Sequence, residues 1–476
     1  SALEYPARSI ITMNASQLAT IGFPEWVIPG TLLAVRQMCL TEEFPRSQLK
    51  KTLQDLLKNP ERFLKHEQLS AVAIELHAEN DTQQLQPSQI RWQSWARDAD
   101  EQTIAQMENA CRIPAARQAA LMPDAHLGYG LPIGGVLATE DVVIPYAVGV
   151  DIACRMKLSV LDLPPETLNT RYHVYRDALM AGTVFGIGCT QQTLQQHAVL
   201  DEDWSVSHVT NENRDRAWKQ LGTSGSGNHF VEFGTLRISE PQSDLPLAPG
   251  NYVALLSHSG SRGTGAAVCQ TYSKIAQRLL PRSAAQFGRL AWLPLQSEAG
   301  QEYWAAMNLM GKYAAANHDV IHRRISQLLG AEITAGVENH HNFAWREHHD
   351  GRDLIVHRKG ATPAARGELG VIPGSMADPA WIVRGRGNPQ SLRSASHGAG
   401  RVMSRRQGKQ LWDFDKVRQE LLDQGIHVLA AGADEVPGVY RNIANVMAAQ
   451  QDLVDSIARF DPKIVRMCGD GSQAED

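Results

Sequence analysis

From about residue 118 the chain is a succession of short apolar runs, each broken by a glycine-rich turn that carries a polar side chain. VVIPYAVGV (142–150) and NYVALLSH (251–258) are the clearest. Side chains alternate across a sheet, so a run that is apolar at successive positions predicts a strand covered on both faces. Helical spacing lies between such runs, as in EYWAAMNLMGKYAAANHDVIHRRISQLL (302–329) and NIANVMAAQQDLVDSIARF (442–460). Strands alternating with helices predict an α/β core. No internal repeat and no low-complexity tract interrupts it.

The first 90 residues have a different texture. Residues 46–78 carry apolar side chains at helical spacing, broken at Pro60, which cannot donate to the helix ladder. The polar stretch NDTQQLQPSQ (80–89) reads as a linker. The expected organisation is a helical N-terminal extension over 1–90 and a catalytic domain over 91–476.

Composition limits the function classes. With 476 residues, 43% hydrophobic and 20% charged, the chain is long enough for a large core. No apolar run is long enough to span a bilayer, and SALEYPARSI lacks a basic segment followed by an apolar one, so neither a membrane partner nor a secretory leader is expected. Six cysteines, at 39, 111, 154, 189, 269 and 468, form no CxxC pair and fit a reduced, cytoplasmic protein. A net charge of −5 argues against a general nucleic-acid coat. Locally, residues 351–410 hold eleven Lys or Arg against Asp353, Glu368 and Asp378. On composition alone that stretch is a solvated basic face.

Five turns carry the chemistry. Asp151 and Cys154 lie three apart beyond the 142–150 run; a carboxylate and a thiolate both bind divalent metals, and a thiolate can bridge two. A lone buried cysteine is otherwise an ordinary core residue. GTSGSGNHFVEF (222–233) offers Asn228, His229 and Glu232, with glycines that let phosphates approach the backbone. LLSHSGSRGTG (255–265) places His258 at a strand end with Arg262 nearby, and VENHHNFAW (337–345) adds His340, His341 and Asn342. Imidazole, carboxylate and thiolate together point to a metal centre, with zinc the first choice from ligand chemistry. In SASHGAGRVMSRR (394–406), His397 sits among small residues that let a bulky ligand reach it, and Arg401, one helical turn on, can pair with a phosphate. His397 can be a nucleophile toward phosphorus, a further metal ligand, or a helix-start histidine.

Read together, these turns resemble the RtcB family of RNA ligases. The matching strings, in family order, are MPDAHLGYGLPIGG (122–135), IPYAVGVDIAC (144–154), GSGNHFVE (225–232), HSGSRG (258–263), HHN (340–342), RKGA (358–361), IPGSM (372–376), SHGAGRVMSR (396–405) and YRNIANVMAAQ (440–450). They span roughly three quarters of the chain. The resemblance implies one large α/β sandwich of the RtcB type and two manganese ions, with Cys154 bridging and Asp151, His229, His258 and His341 completing the ligands. It implies that His397 takes GMP from GTP, that the nucleotide passes to an RNA 3′-phosphate, and that a 5′-hydroxyl then displaces it. A 2′,3′-cyclic phosphate would first be opened. The implied nucleotide contacts are Asn228, Glu232, Asn342, Pro373, Gly374, Ser375, Met376, Ala399, Gly400 and Tyr440. Arg262 and Arg401 would neutralise phosphate oxygens, the 351–410 stretch would hold RNA, and Asp124 and His126 would support the site or bind an RNA end. An archease-type activator is a possible partner, in tRNA splicing or RNA repair.

Two departures bear on the base. The family commonly ends in a Lys-Gly where CGDG (468–471) places Asp470, and it tends to a serine where this chain has Ala380. A charge reversal there can loosen GTP selectivity. The first 90 residues also lack a counterpart in the shortest members. Against joining of RNA ends stand three alternatives: capping of 3′-phosphates without joining, a non-catalytic metal-containing RNA-binding protein, and a plain metallohydrolase.

Overall fold

The 251–258 run is the interior of a strand, Gly250–Ser259, in the computed structural model. Val253 and Leu255 pack against Tyr175 and Leu179 of helix Tyr172–Gly182 and against Ile321 and Ile325 of the long helix Glu298–Leu329. Ala254 and Leu256 face the other way, onto Met156, Leu158, Ile382 and Phe460. Cover on both faces is why the run has no polar alternation until its end. Each buried leucine there contributes about 1.5–3 kcal/mol.

The structure describes residues 13–24, 26–40, 48–80 and 87–469; most of the expected linker (81–86) and Asp470 lie outside them. The chain divides into two units, residues 1–86 with 280–286, and residues 87–279 with 287–476. The smaller unit is helical. Leu49–Lys58 and Ser70–Asn80 are separated by a 3₁₀ turn that Pro60 opens, and Leu18, Leu53, Leu56 and Leu69 are its fully buried centre.

The larger unit is mixed α/β. One sheet runs, edge to edge, Leu369–Ile372, Ala380–Gly385, Val454–Met467, Phe230–Ile238, Gly250–Ser259, Arg155–Leu161 and Ile333–His340, and His427–Ala430 also pairs with Val454–Met467. A second has Trp92–Ser94, Ala116–His126, Ile133–Thr139, Arg352–Lys359 and Asn342–His349 in that order. Ala120, Met122, Val136 and Val356 of the second share one core with Ile372, Val383 and Val454 of the first. Among the described residues, no helix is long and apolar enough to cross a membrane.

The 302–329 pattern is helical as expected, capped by Ser297 and ended by Gly330 in the left-handed conformation. Two other runs differ. In 142–150 only Val142–Val143 pairs as a strand, and Pro145–Val148 is a helical turn with proline at its first position, where no N–H is needed. In 442–460 the helix covers only Ile443–Ala448, and Val454–Met467 is a long strand. Val454, Ile457 and Phe460 gain burial in the large sheet, which outweighs local helical spacing.

Candidate metal and nucleotide site

Strand register brings four of the turns together. His258 is paired with both Phe230 and Met156, and Arg155 is paired with His340. The residues just outside or at these aligned strand ends are therefore His229, Cys154, His258 and His341. Cys154 Sγ lies 3.1 Å from His258 Nε2 and 3.5 Å from His229 Nε2. His341 Nε2 is 3.3 Å from His258 Nε2, and Asp151 Oδ2 is 3.1 Å from His229 Nε2. Two donor triads result, Cys154–His258–His341 and Asp151–Cys154–His229, sharing the sulfur. His340, the neighbour of His341, points away and packs between Phe343 and Trp345.

The donor set fits metal ions. His229 Nδ1 donates to the Ser224 carbonyl at 2.9 Å and His258 Nδ1 to the Asn228 carbonyl at 3.1 Å, so both present a bare Nε2 lone pair to the cluster. Burial pushes His258 down to about 3 and His341 well below the usual imidazole value, so both are neutral imidazoles at neutral pH, the form that ligates a metal. Metal–nitrogen and metal–sulfur bonds of about 2.1 and 2.3 Å put tetrahedral ligands roughly 3.5 Å apart, close to the separations here. The Asp151 carboxyl is held below its ordinary value against the effect of burial, with Arg262 nearby, and so offers a carboxylate oxygen to the cluster. The backbone is shaped for this contact. A Cβ on Gly260 would lie 2.2 Å from the Asp151 carboxylate, and Ala153, before Cys154, takes φ 57°.

His397 follows strand Ser394–Ser396 rather than opening a helix; the next helix starts at Arg405. Its Nδ1 donates to Asp124 Oδ2 at 2.6 Å, and the backbone N–H groups of His397 and Gly398 donate to the same oxygen. That contact assigns the ring proton to Nδ1 and leaves Nε2 as the lone pair. The ring sits 4.9 Å, centroid to centroid, from His341. Asp124 is fully buried beneath it. Gly400 seals this arrangement: it has φ 72°, and a Cβ there would meet the Asp124 carbonyl at 2.2 Å.

A cavity of about 140 Å³ joins His397 to the metal-ligand cluster. Its walls include Asn228, Glu232, Asn342, the turn Pro373, Gly374, Ser375 and Met376, and Ala399, Gly400, Arg401 and Tyr440. Burial pushes the Glu232 carboxyl up to about 8. Asn342 is already braced: its side chain donates to the Asp151 carbonyl and accepts from Gly360 N–H. Arg401 is not one helical turn beyond His397; it lies in a loop, its guanidinium over Tyr440 and 3.5 Å from Glu435. Arg262 lines a neighbouring cavity that shares Asp151. His126 also reaches the site, held neutral by burial at about 4. Ala380, Val465 and Met467 give the cavity an apolar wall.

Sequence reasoning missed Glu435. It is buried, pairs with Arg401 and Arg405, and accepts from the Tyr440 hydroxyl. ADEVPGVY holds two adjacent carboxylates but no His or Cys, so only an acid close before Tyr440 marks it in the sequence. The basic stretch is also not a solvated face. Arg358 is buried against Glu347, Lys359 donates to the Tyr129 carbonyl, and Arg401, Arg405 and Lys409 meet Asp434 or Glu435.

Strand ends that present a shared thiolate, imidazoles and a carboxylate beside an oriented histidine form a candidate metal site. The family described as tRNA-splicing ligase RtcB matches residues 106–207 and 193–467. An RNA-splicing ligase RtcB of Escherichia coli strain K12 is 32% identical over 382 residues, covering 74% of this chain and 90% of that protein. A tRNA-splicing ligase RtcB of Thermococcus kodakarensis is 30% identical over 437 residues, covering 76% and 90%. An RNA-splicing ligase RtcB of Mycobacterium bovis is 33% identical over 427 residues, covering 75% and 98%. The chain belongs to the RtcB family of RNA-splicing ligases.

Proposed function

We propose that this chain joins an RNA 3′-phosphate, or a 2′,3′-cyclic phosphate after opening, to a 5′-hydroxyl through a nucleotide carried on His397. The observation that carries the reading is the Asp124–His397 contact, which leaves Nε2 free on the wall of the cavity that also holds the metal ligands. His397 Nε2 attacks the α-phosphorus of GTP; a nitrogen–phosphorus bond forms and pyrophosphate leaves. The ring then carries positive charge, which the Asp124 carboxylate offsets. An oxygen of the RNA 3′-phosphate next takes the nucleotide from His397. The 5′-hydroxyl oxygen finally attacks the 3′-phosphorus, GMP leaves, and a phosphodiester remains.

Two manganese ions would be held by Asp151, Cys154, His229, His258 and His341, with Cys154 shared. When bound they would supply charge neutralisation at phosphate oxygens. Arg401 and Arg262 supply fixed cations on either side. Glu232, Asn228 and the Pro373–Met376 turn would hold the nucleotide, with Tyr440 beside Arg401. We also infer that residues 91–476 act as one catalytic α/β sandwich, that residues 1–90 are an extension to it, and that the protein works in the cytoplasm, with an archease-type activator as a candidate partner.

The test is incubation with manganese and α-labelled GTP or ATP beside His397→Ala and Cys154→Ala. An acid-labile protein label on the wild type, absent from both variants, is expected. Phosphate release that survives His397→Ala would mean a hydrolase instead. Supplying RNA ends then separates a joined strand from a capped one.

A further inference from the structure

The long helix Glu298–Leu329 carries buried polar side chains that the chemistry above does not use. Asn317, His318 and His322 are at most 1% exposed, and all three are turned toward the strands that bear the metal ligands. Asn317 Oδ1 accepts from Gly222 N–H at 2.7 Å, and its Nδ2 donates to the Thr223 carbonyl at 2.9 Å and to Ser259 Oγ at 3.2 Å. Ser259 Oγ donates onward to the Ser224 carbonyl, the same oxygen that receives His229 Nδ1–H.

Donor accounting fixes the rest of the chain. His318 Nε2 lies 3.1 Å from the Ser259 carbonyl, which only accepts, so the proton is on Nε2. His318 Nδ1 therefore accepts from Ser257 Oγ at 2.6 Å. Ser257 Oγ, having given its proton, accepts from His322 Nε2–H at 2.7 Å, and His322 Nδ1 accepts from Ser159 Oγ at 2.8 Å. Every member is satisfied in one direction only. The two residues flanking His258 are thus both gripped by the helix. So is the strand Arg155–Leu161, whose first residue follows Cys154.

We propose that Asn317, His318 and His322 are positioning residues of the metal centre, fixing the 222–229 turn and the end of strand Gly250–Ser259 so that His229 and His258 present Nε2 to Cys154. Resting on the metal reading, this assigns a function to side chains that reach the ligands through Ser224, Ser257 and Ser259. Outer partners of metal ligands typically change affinity by roughly 10- to 100-fold when lost.

The test uses the full chain and cobalt(II) as the probe, comparing wild type, His318→Leu, His318→Gln and Tyr313→Phe. Three quantities are read: the cobalt Kd, the sulfur-to-cobalt absorption band, and the melting temperature without metal. Tyr313→Phe is the control, since it removes a buried hydrogen bond from the same helix to the Ala217 carbonyl, and the lost hydroxyl is part of none of the network's hydrogen bonds. His318→Leu is expected to weaken cobalt roughly tenfold or more and to shift the band. His318→Gln, which keeps one donor and one acceptor, should recover most of both, and Tyr313→Phe should change only the melt. Should His318→Leu not fold, Ser257→Ala breaks the same chain at less cost in volume and takes its place. Unchanged cobalt affinity in the network variant, or equal weakening by Tyr313→Phe, overturns the proposal and leaves the metal reading standing. A wild type that takes up no cobalt overturns the metal reading and this inference with it.

Discussion

Replacing Asp124 by Asn exchanges one oxygen for an amide nitrogen in a side chain with no exposed surface. Oδ2 receives three N–H groups, from His397 Nδ1, His397 N and Gly398 N, at 2.6, 3.1 and 3.3 Å. Oδ1 is buried without a partner. An asparagine therefore orients its carbonyl where Oδ2 stood and puts its NH₂ in the Oδ1 place, so the ring tautomer survives and only the charge is lost. Two unit charges about 4 Å apart at an effective dielectric of 20 interact by about 4 kcal/mol, and half of that is realised if the ring is half charged in the transition state. The expected cost is about 2–4 kcal/mol, or roughly 30- to 1,000-fold in the rate of nucleotide transfer to His397. Single-turnover labelling with α-labelled GTP measures it, with metal content determined on the same samples. A folded, metal-replete Asp124→Asn protein labelled within threefold of wild type would refute the charge argument. A loss of label matched by a loss of metal would relocate the role of Asp124 to the metal site.

Other outcomes follow from the same geometry. Glu232, raised by burial to about 8 from 4.5, binds more protons folded than unfolded across that window, so it lowers stability as pH rises through it. Glu232→Gln should gain on wild type by about 2 kcal/mol between pH 6 and 8, measured by urea denaturation at both values; a constant difference would contradict the buried carboxyl. Cys154→Ala removes the donor common to both triads and should leave at most one weakly held ion after dialysis, read by elemental analysis. Gly400→Ala, at φ 72° and against the Asp124 carbonyl, should cost roughly 1–3 kcal/mol and displace His397, seen as a lower melting temperature together with lost labelling.

What the sequence disclosed of the site was side-chain type and turn. Cys154, His229, His258 and His341 stood out because metal-type groups followed glycines and strand ends. Their convergence depended on register, which no local pattern carries: His258 opposite Phe230 and Met156 is a fact of pairing. Asp124 is 273 residues from His397, and its string offered no reason to place it beneath that ring. Residues 454–460 fit a helix by spacing alone, and that spacing stays ambiguous until both neighbours of their strand, Ala380–Gly385 and Phe230–Ile238, are known. The positively charged stretch misled for the same reason, since composition counts cations and not the carboxylates folded against them.

That last point makes RNA binding quantitative. Of the eleven cations in 351–410, Arg358, Lys359, Arg401, Arg405 and Lys409 are engaged as described. Arg384 pairs with Asp244, Arg386 with Asp455, and Arg393 donates to the His348 carbonyl. Arg352, Arg366 and Arg406 are exposed and have no such partner among the described residues. For a single strand the slope of log K against log salt is about −0.7 per phosphate neutralised, so these three contribute about −2, whereas eleven would contribute nearly −8. Between 50 and 200 mM salt the first predicts a loss of roughly 20-fold and the second more than 10⁴-fold. Joint replacement of Arg352, Arg366 and Arg406 by Ala should flatten the measured slope by about 2 and leave the response to the RNA end group intact. A wild-type slope much steeper than the remaining surface can supply, and unmoved by the triple replacement, would show that the internal ion pairs open to meet RNA. A shallow slope fits a protein that selects ends by the chemistry of one cavity and grips little of the strand behind them.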